Sequence, residues 1–467
     1  MPHVSSPSDV VGGIAVVADG PRESAEDRWG WIELFAAIQL LSGALLFIPG
    51  VQPYRMYIRA LPYVASLGAL VFVMRRSSGE PLPASCRWLL ASFALLTASL
   101  LHADTHLKAG LAQLIFQFSI GAPMFWAAQS VRSPKRLARL LWVIFAASLG
   151  NAALGVLQAY YPNVFLPPEF SALARSLNPT VLADLSYVGS NGQRIIRPPG
   201  LSDMPGGAAV GGLTTVVLGV AYVSHEGHRT LVRMLGAGAV AVGMTALYLT
   251  QIRALTVMAA VGLLVFAAVR LRQGQMLRGG GIAAGGATLV AVSFMWASAI
   301  GGNAIEDRFS TLMETGLFDT YQQNRGLFLD YTLRELLFQF PLGAGLGRWG
   351  MMGLYFKDPS MWYAPPIHVE IQITGWLLDG GALMWLCYGG ALASACRLAF
   401  MSAVKSSALS LGYLSAVVLA FQLAIVGLCF AGPVFNTQLG VLFWTVTGAL
   451  SGAIASLKRS GPDETDG

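Results

Sequence analysis

Charge is what this chain has least of. Only 12% of its 467 residues are Asp, Glu, Lys or Arg. A soluble domain carries about 25%, so a water-facing surface over most of a chain this long is excluded. Cysteine is scarce as well. Cys86, Cys387, Cys396 and Cys429 are the whole set. They lie in or beside apolar runs without CxxC spacing, so they imply no disulfide framework and read as small buried hydrophobes. Six histidines, with no HExxH and no carboxylate-rich divalent-metal signature, leave little metal chemistry. No metal site and no cofactor are expected. There is no Walker A sequence, no GxSxG and no cysteine beside a base, which argues against ATP hydrolysis and an enzyme-borne nucleophile. Residues 1–30 carry Asp9, Asp19, Glu23, Glu26 and Asp27 and no apolar core before a cleavage motif, so no signal peptide is expected there.

What fills the chain instead is a series of apolar runs, many near the roughly 17 to 25 residues that cross a bilayer. Twelve are expected: about 31–48, 60–74, 88–101, 109–129, a fifth ending near Tyr160, then 206–224, 233–250, 254–269, 281–299, 369–394, 408–430 and 436–456. The fold class is therefore an all-α integral membrane protein, a bundle of about 12 transmembrane helices. Residues 31–457 form the polytopic domain between tails at 1–30 and 458–467. Two connections are long, 162–205 and 301–366. The net charge of +6 would suggest nucleic acid in a soluble protein. Here it reports topology, and the bilayer is the partner. Arg75/Arg76/Arg87, Arg132/Lys135/Arg136/Arg139, Arg229/Arg233, Arg270/Arg272/Arg278, Arg397/Lys405 and Lys458/Arg459 all fall on one side if both tails are cytoplasmic. Both long loops are then extracytoplasmic.

Inside the second long loop, 325–339 places Leu329, Leu333, Leu336 and Leu337 on one helical face and Asp330, Arg334 and Glu335 elsewhere. Such an amphipathic helix can lie at the interface. Pro341 ends it, and GAGLG over Gly343 to Gly347 lets backbone pass close to something. It reads either as a plain cover followed by a flexible turn or as a lid over a substrate cleft.

The polar residues of interest gather at the expected outer ends. Arg253 sits in LTQIRALTV, a connection too short to be a domain. An arginine near hydrocarbon is costly unless it snorkels, pairs or faces a cavity, so it is an interfacial anchor or a functional group. Arg194 and Arg197 lie in NGQRIIRPPGLSDMPGG, where Pro198 and Pro199 stiffen the chain. Ser202 and Asp203 are set to help cap the next helix. A guanidinium suits phosphate because its planar fork donates in pairs and stays protonated. His368 follows Pro365 and Pro366 at the start of the tenth run. Its imidazole suits removal of a proton from a hydroxyl, or it is an interfacial histidine satisfied by backbone. Glu370 is near, but i and i+2 do not share a helix face, so it is an orienting partner only if the segment is not helical.

RPPGLSDMPGGAA, QIRALTVMA and NRGLF…LLFQFPLGAGLGRWG…IHVEIQITGWLLDGG together resemble the O-antigen polymerase and O-antigen ligase superfamily of integral-membrane glycosyltransferases. The resemblance spans roughly 30–455 and is specific over 194–380. It implies about a dozen helices with a large extracytoplasmic loop, in a bacterial inner membrane. It also implies a glycan donor on undecaprenyl diphosphate, a glycan acceptor, and a flippase and chain-length regulator as candidate partners. Arg197, Arg253 and His368 match the family's two arginines and its histidine, although Gln251-Ile252 stands where a small residue usually precedes the second arginine. The implied roles are a diphosphate clamp for Arg197 and Arg253, with Arg194, Arg325 and Arg348 as further candidates, and a general base or acceptor-orienting group for His368. A repeat-unit polymerase is the leading expectation. A ligase acting on lipid A core or protein, and a transporter or flippase, are the alternatives.

Overall fold

The computed structural model describes residues 29–75, 83–166, 185–202, 204–225, 227, 229–356, 367–406 and 409–459. The expected tails, apart from 29–30 and 458–459, lie outside them, as do Asp203, Pro365, Pro366 and the 167–184 and 357–366 parts of the long loops.

Helices dominate because apolar runs in lipid must satisfy every backbone group internally. Chain order gives α1 (Trp31–Leu41, continued by a 3-10 turn to Phe47), α2 (Arg55–Met74), α3 (Ala84–Ser99), α4 (Leu107–Ser130) and α5 (Pro134–Tyr160). After the first long connection come α6 (Ala208–Ser224), α7 (Thr230–Thr250), α8 (Arg253–Arg272) and α9 (Met276–Gly301). The second long connection holds α10 (Asn303–Glu314), α11 (residues 317–339) and α12 (Gly350–Tyr355). The chain closes with α13 (Gln372–Lys405), α14 (Leu409–Leu428) and α15 (Gln438–Arg459). Among the described residues, nine helices are long and apolar enough to cross a membrane. Three shorter apolar helices, Trp31–Phe47, Ala84–Ser99 and Ala208–Ser224, occupy the other expected runs. Length alone thus carries nine crossings where twelve were expected, because α1, α3 and α6 stop short.

Burial orders the bundle. The apolar window of α15 is 83% buried and that of α9 only 11%, so α15 is an inner helix while α9 lies on the outside of the bundle. Small residues allow close approach: a Cβ on Gly212 of α6 would stand 2.7 Å from the Gly243 carbonyl of α7. At the start of α5, Ser133 accepts from the Arg136 N–H at 3.3 Å with Pro134 at the first helical position, a sequence-encoded start.

Two departures from a plain α-bundle shape the end that carries the long connections. A hairpin pairs β1 (Ser186–Val188) with β2 (Arg194–Ile196) in the register Ser186↔Ile196 and Val188↔Arg194. Its turn seats on the end of α9, where Ser190 donates through its backbone N–H to the Ile300 carbonyl at 3.0 Å and through its hydroxyl to Ala299 at 2.9 Å. Both long connections therefore share one end of the bundle. In addition, α13 is broken at Gly380 and Gly381, the latter at φ 68°. The Pro341–Gly347 loop fills the break, with Ala344 N–H donating to the Leu378 carbonyl at 2.7 Å and Ala382 N–H to the Pro341 carbonyl at 3.0 Å.

The expected leucine face of α11 needs correction. Two π turns, at Gln322–Gly326 and Thr332–Leu336, widen the helix and shift its period. Gly326, Thr332 and Leu336 are buried, whereas Leu333 is 43% exposed. Thr332 meets Thr374 of α13 hydroxyl to hydroxyl at 2.6 Å, which fixes the helix over the start of α13.

Candidate functional site

The first arginine loop is held by two polar residues on α5. Gln158 accepts from the Gly200 N–H at 2.7 Å and returns a bond to the Gly200 carbonyl at 3.0 Å, while Asn151 accepts from the Leu201 N–H at 2.7 Å. Gly200 turns there at φ 63°. Arg197 is anchored twice through its backbone, donating to the Leu185 carbonyl at 2.9 Å and accepting from the Gly206 N–H at 3.0 Å. Its half-buried side chain lies by Tyr187, whose phenol is pushed up by burial while the Arg197 charge pulls the other way. Arg194 stands apart on the exposed edge of the hairpin, donating to the Ser186 hydroxyl at 2.9 Å. Ser202 accepts from the Met204 N–H at 3.2 Å. It thus makes a local turn rather than capping α6, because that helix begins only at Ala208, after Gly207.

Arg253 opens α8 two residues after Gln251, whose backbone is left-handed at φ 56°. The Gln251 side chain donates to the Ala304 carbonyl at 3.2 Å, and Arg253 Nη1 donates to the Thr311 hydroxyl of α10 at 2.7 Å. Ile252 lies against Gly206, so a Cβ there would approach its Cδ1 to 2.8 Å. The structure thus brings together the end of the Arg197 loop, the α7–α8 turn and α10. Arg308, one turn before Thr311 on α10, acts on Arg253 as a neighbouring like charge.

The elbow between α10 and α11 carries the polar surface onward. The Thr311 carbonyl accepts from the Thr320 hydroxyl at 3.4 Å, and the Thr320 carbonyl from Asn324 at 2.7 Å. Arg325 comes next and forms an ion pair with Glu370. Burial holds its guanidinium below the ordinary arginine value. Glu370 also bonds His368 Nε2 through Oε1 at 2.6 Å. Residues 367–370 are not helical and α13 starts only at Gln372. In extended backbone i and i+2 point the same way, so the condition for a His368–Glu370 pair is met. The imidazole stands with its ring centroid 6.2 Å from Phe328 and its side chain 73% exposed. With Nε2 turned to the carboxylate, Nδ1 is the nitrogen left for a ligand.

Arg348 is differently placed. It is 6% exposed, donates to the Ala344 carbonyl at 3.0 Å, lies 3.8 Å from Asp104 and sits over the Phe340 ring at 6.0 Å. Burial lowers its pKa and Asp104 opposes that shift. Its backbone carbonyl accepts from the Ile367 N–H at 2.8 Å, which steers the chain into His368. The GAGLG turn is pinned rather than flexible. Leu346 donates to the Thr105 hydroxyl and Gly347 to the Gln113 side chain. Gln113 and the Trp349 indole both donate to buried Asp379 at 2.6 Å. Gly347, at φ 80°, passes so near α4 that a Cβ would stand 2.6 Å from the Gly110 nitrogen.

Asn151, Gln158, Arg308 and Asp379 were not picked out from the sequence. The first two sit seven residues apart on one face of an apolar helix, a readable signal for polar groups with fixed partners. Arg308 lies in a polar loop segment where charge is ordinary. Among the described residues, no three His, Cys, Asp or Glu side chains gather to hold a metal ion.

The spans and their burial define the class: a polytopic, largely helical membrane protein. Compared with models of known protein families and with curated proteins, the sequence finds no match in either.

Proposed function

We propose that this chain is a membrane glycosyltransferase of the O-antigen polymerase and ligase type. In this reading it joins oligosaccharide repeat units carried on undecaprenyl diphosphate, at the extracytoplasmic face of a bacterial inner membrane. The observation that carries the proposal is the placement of three arginine-bearing segments and an exposed, carboxylate-paired histidine at one end of the bundle. Arg197 and Arg253 take the diphosphate, with Arg325 entering from α11 and Arg194 from the hairpin rim. Guanidinium groups in a partly dry site stabilise charge that develops on the leaving diphosphate. Arg348 serves as a positioning residue for the segment that holds His368.

Chemistry then needs one proton transfer and one displacement. His368 Nδ1 takes the proton of the acceptor hydroxyl, and Nε2–H stays on the Glu370 carboxylate, which steadies the imidazolium. The acceptor oxygen bonds to the anomeric carbon as the bond from that carbon to the diphosphate oxygen breaks. The electron pair leaves with undecaprenyl diphosphate, and direct displacement inverts the anomeric centre. No metal or cofactor has a role in this scheme.

The test is transfer by the purified full chain in liposomes, supplied with undecaprenyl-diphosphate oligosaccharide on the active face. Growth of polymer, release of undecaprenyl diphosphate and an inverted linkage by NMR are expected. Transfer to lipid A core without polymer would assign the ligase reaction. Net movement of donor across the bilayer without a new glycosidic bond would replace the enzyme reading with the transporter one.

A further inference from the structure

Arg308 has no part in that scheme, and its surroundings give it one. It precedes Thr311 by three residues on α10, so the two share a helix face. Thr311 holds Arg253 Nη1 at 2.7 Å and its hydroxyl also donates to the Arg308 carbonyl at 3.0 Å. Arg253 is thereby fixed against the helix that carries Arg308, whose guanidinium acts on it as a like charge. Among the described residues, no carboxylate forms an ion pair with either: Glu306 and Asp307 on the same helix are exposed and unpaired with them. Arg308 Nε is buried and, among the described residues, has no hydrogen-bond partner. A buried donor left unsatisfied is destabilising, and crowding two cations adds to that cost. An anion lying between the two guanidiniums would offset their repulsion.

We infer that Arg308 and Arg253 form the two sides of a diphosphate subsite, with Thr311 as the positioning residue that holds Arg253 in place. The assignment of that diphosphate to a lipid-linked sugar donor rests on the proposed function; the subsite itself does not. A single phosphate would neutralise one guanidinium well. Two linked phosphates match two forks, each donating in pairs.

Thermal unfolding of the purified full chain, with and without inorganic pyrophosphate, tests this. Pyrophosphate should raise the wild-type Tm, and orthophosphate at equal ionic strength should raise it less. Arg308→Gln should unfold at the same or a higher temperature without anion, because the repulsion is gone. It should also lose the pyrophosphate shift, with affinity weakened about tenfold or more. Arg308→Lys should keep part of the shift, and Glu306→Gln all of it. A lower Tm for Arg308→Gln without anion, with the pyrophosphate shift retained, would overturn the inference in favour of a structural arginine. So would a wild-type protein indifferent to millimolar pyrophosphate. Stabilisation through Arg308 by phosphatidylglycerol vesicles but not by pyrophosphate would reassign the subsite to a bilayer headgroup. An Arg308-dependent pyrophosphate shift without glycosyl transfer would keep the subsite and sink the enzyme reading. Intact transfer with an unaltered shift in Arg308→Gln would do the reverse.

Discussion

Glu370→Gln is the most informative single change, because Glu370 joins the two halves of the site. Its carboxylate receives His368 Nε2 at 2.6 Å and pairs with Arg325. Glutamine keeps the shape and removes the charge. In the proposed mechanism, the imidazolium formed by proton transfer then loses a charge-assisted partner. That partner is not deeply buried: the Glu370 side chain is 26% exposed and that of His368 73%, so water screens part of the interaction. The loss should sit toward the lower end of the range for bonds to charged groups, about 1–2 kcal/mol, a roughly five- to thirtyfold drop in turnover. Donor affinity should hold or tighten, since Arg325 is released from its carboxylate. The assay is single-turnover transfer with a fluorescent lipid-linked donor, alongside direct donor binding. His368→Ala should cost about 10²–10⁴-fold in turnover, and adding Glu370→Gln to it should cost little more. An equal penalty for Glu370→Gln with and without His368, or no penalty at all, would refute the pairing as part of catalysis.

Arg253→Ala should weaken donor binding and turnover together, by about 1.5–3 kcal/mol for the lost charge-assisted contacts. Lysine at this position should recover only part, since it keeps the charge but not the fork; unchanged binding and turnover in the alanine variant would remove Arg253 from the site. Reporter fusions after Arg136 and Arg272 should read cytoplasmic and those at Ser186 and Gly316 extracytoplasmic, so an inside signal at Gly316 would put the site on the wrong face. Asp379→Ala strands the Trp349 indole N–H and the Gln113 amide in the protein interior and should lower stability by about 2–4 kcal/mol. Asp379→Asn should retain most of it, and a Tm unmoved by alanine would show that this network does not hold the GAGLG turn.

The helices were legible because hydrocarbon leaves an apolar run few alternatives, and each expected run falls on an apolar helix. Their lengths were less legible, since α1, α3 and α6 are shorter than their neighbours without differing in composition. Arg197 and Arg253 could be singled out because guanidinium beside apolar spans is costly wherever it occurs. The His368–Glu370 pair turned on where α13 begins. Reading the run from residue 369 puts the two side chains on different faces, and starting the helix at Gln372 puts them together. Element boundaries are the least certain part of any sequence reading. Leu333 was misplaced because a 3.6-residue period carries no sign of a π turn. The Arg253–Arg308 juxtaposition depends on α10 folding back across the α7–α8 turn, a tertiary contact with no local trace.

The break in α13 also ties the site to the order in which the chain is made. Residues 341–347 are synthesised before α13, yet the backbone that receives them is the interrupted stretch Leu378–Ala382. Irregular backbone near the membrane is tolerated only when protein covers it, and here each irregular segment covers the other. The loop finds these hydrogen-bond partners only once the later helix has been made, and the broken helix finds its own in the loop. A nascent chain halted at residue 371 would already carry Arg197, Arg253, Arg308, Arg325 and His368, and would still lack the backbone onto which α11 and the GAGLG turn fasten.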